Sequence, residues 1–309
     1  MSGLIFGCMK FDRLTNINMV FPRAEFCKEC HIDIYNEWAE SLHAKAYTSS
    51  TYRQATNDYQ FTSCLACHVP EPRISDGPLK SRDIFREEGV TCSSCHLEES
   101  KMLGPIEPTS KLAPHPMSVQ EDRYRNSKFC GRCHEGTFKE WKQVISKEKH
   151  TCQECHMPSV KKRLTQATHL LSKIIVTVSM EKEALQKKHT FGIHKKLPDM
   201  EAFAMNLKKD GEQIELILKN HLPHSLPTGD FGFRVVIVDI LAVKENDTII
   251  PIKSVELIKE INTAIPAKAT ASWKFPVPDN AKAIRCIVSR QSKGNENREN
   301  LYQKEVLIP

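Results

Sequence analysis

The chain has no long hydrophobic run: its longest apolar stretches, around Ile174–Val178 and Val235–Val243, are strand-length, short of the ~18 residues of a membrane span. Aromatic residues are few, 7% of 309, and the net charge is only +6, from 44 basic and 38 acidic residues. Short basic groups such as Lys161-Lys162-Arg163, Lys187-Lys188 and Lys195-Lys196 lack the aromatic interleaving of a nucleic-acid surface, so no nucleic-acid partner is expected. With 40% hydrophobic and 27% charged residues, the composition also excludes disordered and collagen-like classes and leaves room for two domains.

Cysteine, by contrast, is plentiful. Ten of the twelve fall in pairs three positions apart, leaving Cys8 and Cys286. The pairs read CKECH (Cys27, Cys30, His31), CLACH (Cys64, Cys67, His68), CSSCH (Cys92, Cys95, His96), CGRCH (Cys130, Cys133, His134) and CQECH (Cys152, Cys155, His156). A histidine follows the second cysteine every time, whereas the composition predicts about 0.02 such matches by accident. Positions i, i+3 and i+4 share one face of a helical turn, so two thiols can each add to a vinyl group while the adjacent imidazole reaches the iron. Cys-x-x-Cys-His is the attachment motif of c-type haem, and five haems c are expected. Zinc knuckles would need pairing, which five motifs do not allow, and do not require a histidine at one fixed place. A catalytic dithiol would not occur five times.

Eight histidines remain after the five proximal ones. His43, His115 (in APHPMS), His189 and His194 (in HTFGIH) and His224 (in PHSLPTG) are the candidate sixth ligands, ahead of His150, His169 and His221. Ile34, Trp38, Leu42 and Ala46 recur every four residues, which predicts a helix over 32–46 continuing from His31. Along such a helix His43 would lie ~18 Å from His31 and would serve a different iron. Methionine is the competing ligand, with nine available, but bis-histidine haems are expected.

The five motifs crowd into residues 27–156, leaving little chain for an ordinary core, so haem-packed short helices and long loops are expected over 1–195. Helical signals are brief (32–46, 81–88, 123–132, 137–146), and Ile174–Val178 reads as a strand. From residue 196 strands take over: Ile214, Leu216 and Leu218 alternate after a turn at Asp210-Gly211, with further runs at Phe233–Val243, Thr248–Ile252, Ala271–Val277, Ala283–Val288 and Glu305–Ile308. The expected fold is α+β, residues 196–309 forming an antiparallel β-sandwich of immunoglobulin-like type. Cys286 reads as a buried thiol. His224 lies in a loop rich in proline, expected to place that histidine on a haem and join the two domains.

The segments CKECH…WAESLHAKA, HTCQECHMP, HTFGIH and PHSLPTG resemble the multihaem cytochromes c of the tetrahaem and hydroxylamine-oxidoreductase-related superfamily, and the pattern is similar to subunits of extracellular cytochrome filaments. The resemblance spans most of 26–234 and implies that His43 is a distal ligand. It also implies that a histidine can be lent across a subunit boundary, so redox proteins or further copies of the chain, as a homo-oligomer or filament, are the expected partners. Five motifs rather than four is a departure from the tetrahaem members. Electron transfer is the expected function, not enzymatic catalysis. The alternative is a periplasmic haem enzyme, or an enzyme-associated cytochrome, acting on a small nitrogen or sulfur compound; the pentahaem nitrite reductases it would resemble replace one motif histidine by lysine, and no motif here does. Haem attachment implies an exported protein, periplasmic, cell-surface or extracellular. Residues 1–10 lack a basic n-region, and Ile5-Phe6-Gly7-Cys8 resembles the end of a lipoprotein signal, making Cys8 a candidate lipid anchor. The intact mass of the mature protein is expected to exceed that of its polypeptide by five iron porphyrins that survive denaturation; a bare-peptide mass would refute thioether attachment.

Overall fold

The computed structural model describes residues 21–72, 77–107, 115–145, 149–166, 173–174, 177, 181–192, 201–229, 234–292 and 297–308. Cys8, His169 and His194 lie outside them. The chain divides into two compact units, Met1–Phe129 with Thr151–Gly192, and Cys130–His150 with Ile193–Pro309. The fourth motif and the helix after it therefore belong with the strand-rich part. Among the described residues no helix is long and apolar enough to cross a membrane.

Short helices dominate the first unit: α1 (Ala24–Lys28), α2 (Ile32–Glu40), α3 (Ser50–Ala55), α4 (Leu65–His68), α5 (Cys92–His96), α6 (Glu121–Arg125) and, later in the chain, α9 (Cys152–His156). Their starts are written locally. In the third and fifth motifs a threonine precedes the first cysteine, and Thr91 with Ser94, and Thr151 with Glu154, form reciprocal capping boxes. The helix so nucleated brings Cys, Cys and His onto one face. Small strands complete the unit: β1 (Leu97–Glu98), β2 (Lys101–Gly104) and β3 (Met117–Val119) in one sheet, β4 (Ser159–Lys162) and β5 (Ala184–Lys187) in a second.

Three local expectations fail, the first being the helix at 81–88, where only Arg86–Glu88 forms a short 3-10 turn. α2 stops at Glu40, with Ser41 extended (φ −73°, ψ 160°), and does not reach Ala46. The His43 carbonyl accepts from the distant Val90 N–H (2.9 Å) as well as from the Ala46 N–H of a local turn (3.2 Å). Gly89, at φ +59°, sits so close that a Cβ there would lie 2.4 Å from the His43 oxygen, which only glycine tolerates. Of the strand expected at 174–178, Ile174 and Thr177 are helical instead, and the other three residues lie outside the described ones.

In the second unit, α7 (Lys128–Gly131) leads into the fourth motif and α8 (Glu135–Gln143) leaves it. β6 (Phe203–Asp210), β7 (Gln213–Asn220) and β10 (Thr270–Pro276) pair in the order β10-β7-β6; β8 (Arg234–Lys244), β9 (Ile249–Leu257), β11 (Ala281–Ser292) and β12 (Arg298–Leu307) pair as β12-β11-β8-β9. Both sheets are antiparallel. The alternation that exposed β7 in the sequence sends Ile214, Leu216 and Leu218 inward, where they meet Val236, Val238 and Ile240 of β8 and Ile284, Cys286 and Val288 of β11 in one shared core. β6, unannounced above, carries the same signal in Phe203, Met205 and Leu207. Cys286 is fully buried, and burial pushes its thiol up to about 12.

Glu140 ties α8 to this unit. Its carboxylate accepts from Ser225 N (2.8 Å) and Thr228 Oγ1 (2.7 Å) and pairs with Lys259 Nζ at 2.5 Å. Burial alone would raise the Glu140 pKa, but the bonds from Lys259, Thr228 and Ser225 outweigh it and hold the carboxyl below its ordinary value. A depressed carboxyl contributes stability above its unfolded pKa and loses it as pH falls through the folded one. The strand-rich unit is therefore expected to lose about 1–3 kcal/mol on acidification below about pH 4, and Glu140→Gln to remove that pH dependence at a comparable cost at neutral pH, measured by denaturant unfolding.

Candidate haem-binding sites

The motif histidines of the first unit share one arrangement. His31 Nδ1 donates to Leu164 O (2.9 Å), His68 Nδ1 to Ala46 O (2.7 Å), His96 Nδ1 to Leu103 O (2.7 Å) and His156 Nδ1 to Gly192 O (3.1 Å). A proton held at Nδ1 leaves the Nε2 lone pair for a metal and fixes the ring plane. Burial lowers the pKa of His31, His68 and His96, so these rings are neutral at physiological pH, as a ligand must be.

Two further histidines face motif histidines. The rings of His31 and His115 are 6.5 Å apart and those of His96 and His189 are 6.2 Å apart, tilted by 48° and 43°. Two imidazoles bound through Nε2 to opposite sides of one metal, at bonds of ~2.0 Å, would have centres about 6.3 Å apart. Burial and then His96 lower His189 to about 4, and burial followed by His31 lowers His115. His189 Nδ1 also donates to a carbonyl, Lys187 O at 2.9 Å.

His43 packs on Phe191 (4.3 Å), the residue before the Gly192 that holds His156. Phe191 thus links His43 along the chain to Gly192, and its ring also meets His189 edge-on at 5.7 Å. At the second motif His68 lies against Tyr52 (4.3 Å), which belongs to a cluster with Tyr47 and Tyr59. Tyr52 is buried, its hydroxyl has no hydrogen-bond partner among the described residues, and burial pushes it up to about 12. The first and third motifs meet directly: the Cys92 thiol donates to Cys27 Sγ, and that bond holds Cys27 below the ordinary thiol value. The donor set therefore fits c-type haem, with thiols and Nε2 presented together on short helices.

Several supporting residues carry no sequence signal. Tyr124 stacks on His96 (5.1 Å, 9°) and donates to Cys95 O and Leu103 O, the carbonyl that also holds His96. Glu181 accepts from the Leu164 and Thr165 N–H groups, fixing the carbonyl that holds His31. Glu37 accepts from His189 N (2.9 Å) and pairs with Lys162. Arg82, 2% exposed, donates to the carbonyls of Ile84, Pro70, Phe85 and Gly89 and to Ser94 Oγ, joining the chain just after His68 to the CSSCH helix.

Comparison with known proteins agrees with this geometry. The family model described as cytochrome c554 and c-prime matches residues 26–97. Among solved structures, the chain is similar to a penta-heme cytochrome c552 from Thermochromatium tepidum, with a TM-score of 0.62 at 17% identity, covering 93% of this chain and 99% of that one. That likeness establishes the fold over nearly the whole length. A superoxide reductase from Nanoarchaeum equitans aligns with 35% of this chain and 91% of its own at 12% identity, but its TM-score of 0.25 gives it no bearing on fold or chemistry. Motif match and fold together support a multihaem cytochrome of c type.

Replacing Arg82 with leucine leaves four carbonyls without their donor. Arg82→Leu is expected to destabilise the first unit by about 3 kcal/mol, measured by denaturant unfolding of the holoprotein. A loss under about 0.5 kcal/mol, the range of ordinary surface substitutions, would show that Arg82 braces nothing.

Proposed function

We propose that the chain is an exported electron carrier in which five covalent haems form a conducting row, held mostly between paired histidines. The observation that carries this reading is the spacing of His31 with His115 and of His96 with His189, close to that of two imidazoles on one iron. Bound haem supplies reversible one-electron chemistry at iron. The chain's part is to hold each ring neutral and oriented, to close both faces of the metal, and to set one haem beside the next. Proximity of Cys27 to Cys92 supports close packing of the first and third haems. His31 and His115 would hold the first haem, His96 and His189 the third, and His156 with His43 the fifth. The outlying His194 and the Cys8 anchor remain proposals from sequence alone, as does a filament of repeated copies.

The strand-rich unit has the first, second and fifth of its strands in one sheet and the other four in the second, which supports the immunoglobulin-like reading. It would serve docking, assembly or shielding.

One observation favours a second reading. At the second motif, the His68 ring lies 4.3 Å from the Tyr52 ring, and its Nδ1 donates to the Ala46 carbonyl. An open iron at the second motif would permit a small nitrogen or sulfur compound to bind, the enzymatic alternative.

Quantitative electron paramagnetic resonance of the oxidised holoprotein separates the two. The carrier reading expects all haems low-spin, with His115→Ala converting one of them to high-spin. A high-spin haem in the wild type that binds cyanide would favour the open site, and an unchanged spin state in His115→Ala at full haem loading would remove the observation on which the carrier reading rests.

A further inference from the structure

The fourth motif belongs to the strand-rich unit. We propose that this unit holds a complete haem site of its own: a porphyrin attached to Cys130 and Cys133, ligated by His134 and His224, with Glu140 as the residue that positions His224. The inference deepens the haem reading and rests on it.

His134 is the N-cap of α8, so its ring stands at the start of that helix. The loop bearing His224 is laid along the same helix. Thr228 Oγ1 lies 3.1 Å from Thr137 Oγ1, one turn from His134, and gives its proton to Glu140, which also accepts from Ser225 N. Six residues of helix from His134 to Glu140 span about 9 Å, and helical side chains lean toward the N-terminus, which shortens the gap. The residue after His224 is thereby tied to the helix that begins at His134, on which a second imidazole for the same iron would have to converge.

The His224 ring is also prepared as a ligand. Its Nδ1 donates to Ser225 O (3.0 Å), the same device as in the motif histidines, leaving Nε2 for the iron. Its backbone is gripped from both sides. The fully buried Asn220 donates Nδ2 to His224 O (3.0 Å) and accepts from Leu222 N (3.0 Å), while Lys259 bridges Glu140 and Gly229 O (2.7 Å). On the motif side, Phe138 packs against Gly131 so closely that a Cβ there would lie 2.5 Å from its ring, which fits a glycine between Cys130 and Cys133. Trp141 stacks on Phe138 and donates to His150 O, closing the helix against its own continuation. Attachment needs no oxidant: each S–H bond and vinyl π bond is exchanged for a C–S and a C–H bond, the thiol proton going to the other vinyl carbon.

The test uses the full-length holoprotein. His224→Gly is expected to convert one haem to high-spin ferric, with added imidazole restoring the low-spin signal, whereas His221→Gly changes nothing. Glu140→Gln, which keeps His224 but loosens its loop, is expected to speed carbon monoxide binding to one ferrous haem about tenfold. If His224→Gly assembles poorly, His224→Met decides, because a methionine there should remain low-spin and show the red-edge thioether-to-iron band. Full haem loading with unchanged spin state in His224→Gly, or no thioether band in His224→Met, overturns the assignment while leaving the other haems standing. A wild-type protein without haem overturns the haem reading itself.

Discussion

The hydrogen bond from an imidazole Nδ1–H to a main-chain carbonyl is the constraint to which the rest of the molecule is subordinate, because it decides which nitrogen can meet a metal and in which plane. His31, His68, His96 and His156 make it, and so do His189 and His224. The accepting carbonyls of the first four belong to Leu164, Ala46, Leu103 and Gly192, up to 133 residues away in sequence. The first, second and fifth motifs therefore become directed ligands only once another segment has arrived, whereas His96 finds its acceptor seven residues on. Much of the irregular chain between motifs has this task, and Glu181 and Tyr124 in turn hold the carbonyls that hold the histidines.

The two units solve the problem of stability differently. The strand-rich unit has an ordinary core, with Leu216, Val238 and Ile284 fully buried between two sheets. The first unit has helices of a few residues and a core of scattered side chains such as Trp38, Tyr52 and Val69. Its polar groups do unusual structural duty. Arg82 is the clearest case, a buried cation donating to carbonyls at the second motif's exit and the Gly89 turn and to the Ser94 hydroxyl in the third motif's helix. A guanidinium can do this because its charge is permanent and its five donors are fixed in one plane. The brace also reaches His43 indirectly, since Gly89 and Val90 press on the His43 backbone.

What was legible beforehand was whatever depends on nearest neighbours along the chain. Cys-x-x-Cys-His needs only a helical turn, and Thr91 and Thr151 supply its start. The strands of the second unit announced themselves because alternation at Ile214, Leu216 and Leu218 is a local pattern, and the Asp210-Gly211 turn lies where expected, with Gly211 at φ +60°. The four-residue apolar period at Ile34, Trp38, Leu42 and Ala46 misled. Local periodicity favoured one long helix, but backbone hydrogen bonding from Val90 to His43 prevailed, and Leu42 stands exposed in consequence. His115 and His189 could be named as candidates by elimination, but their motif partners could not.

By itself the amino-acid order determined the chemistry available, namely thiols and imidazoles at covalent spacing in five places and an alternating apolar strand pattern behind them, because these are properties of single turns and single strands. Only the tertiary structure decided which histidines stand opposite one another, which unit receives the fourth motif, and that Arg82, Tyr124, Glu140 and Asn220 brace the segments around them. The reason is that the ring separations near 6 Å are set by residues 84 and 93 positions apart, and no short-range pattern encodes where such segments meet.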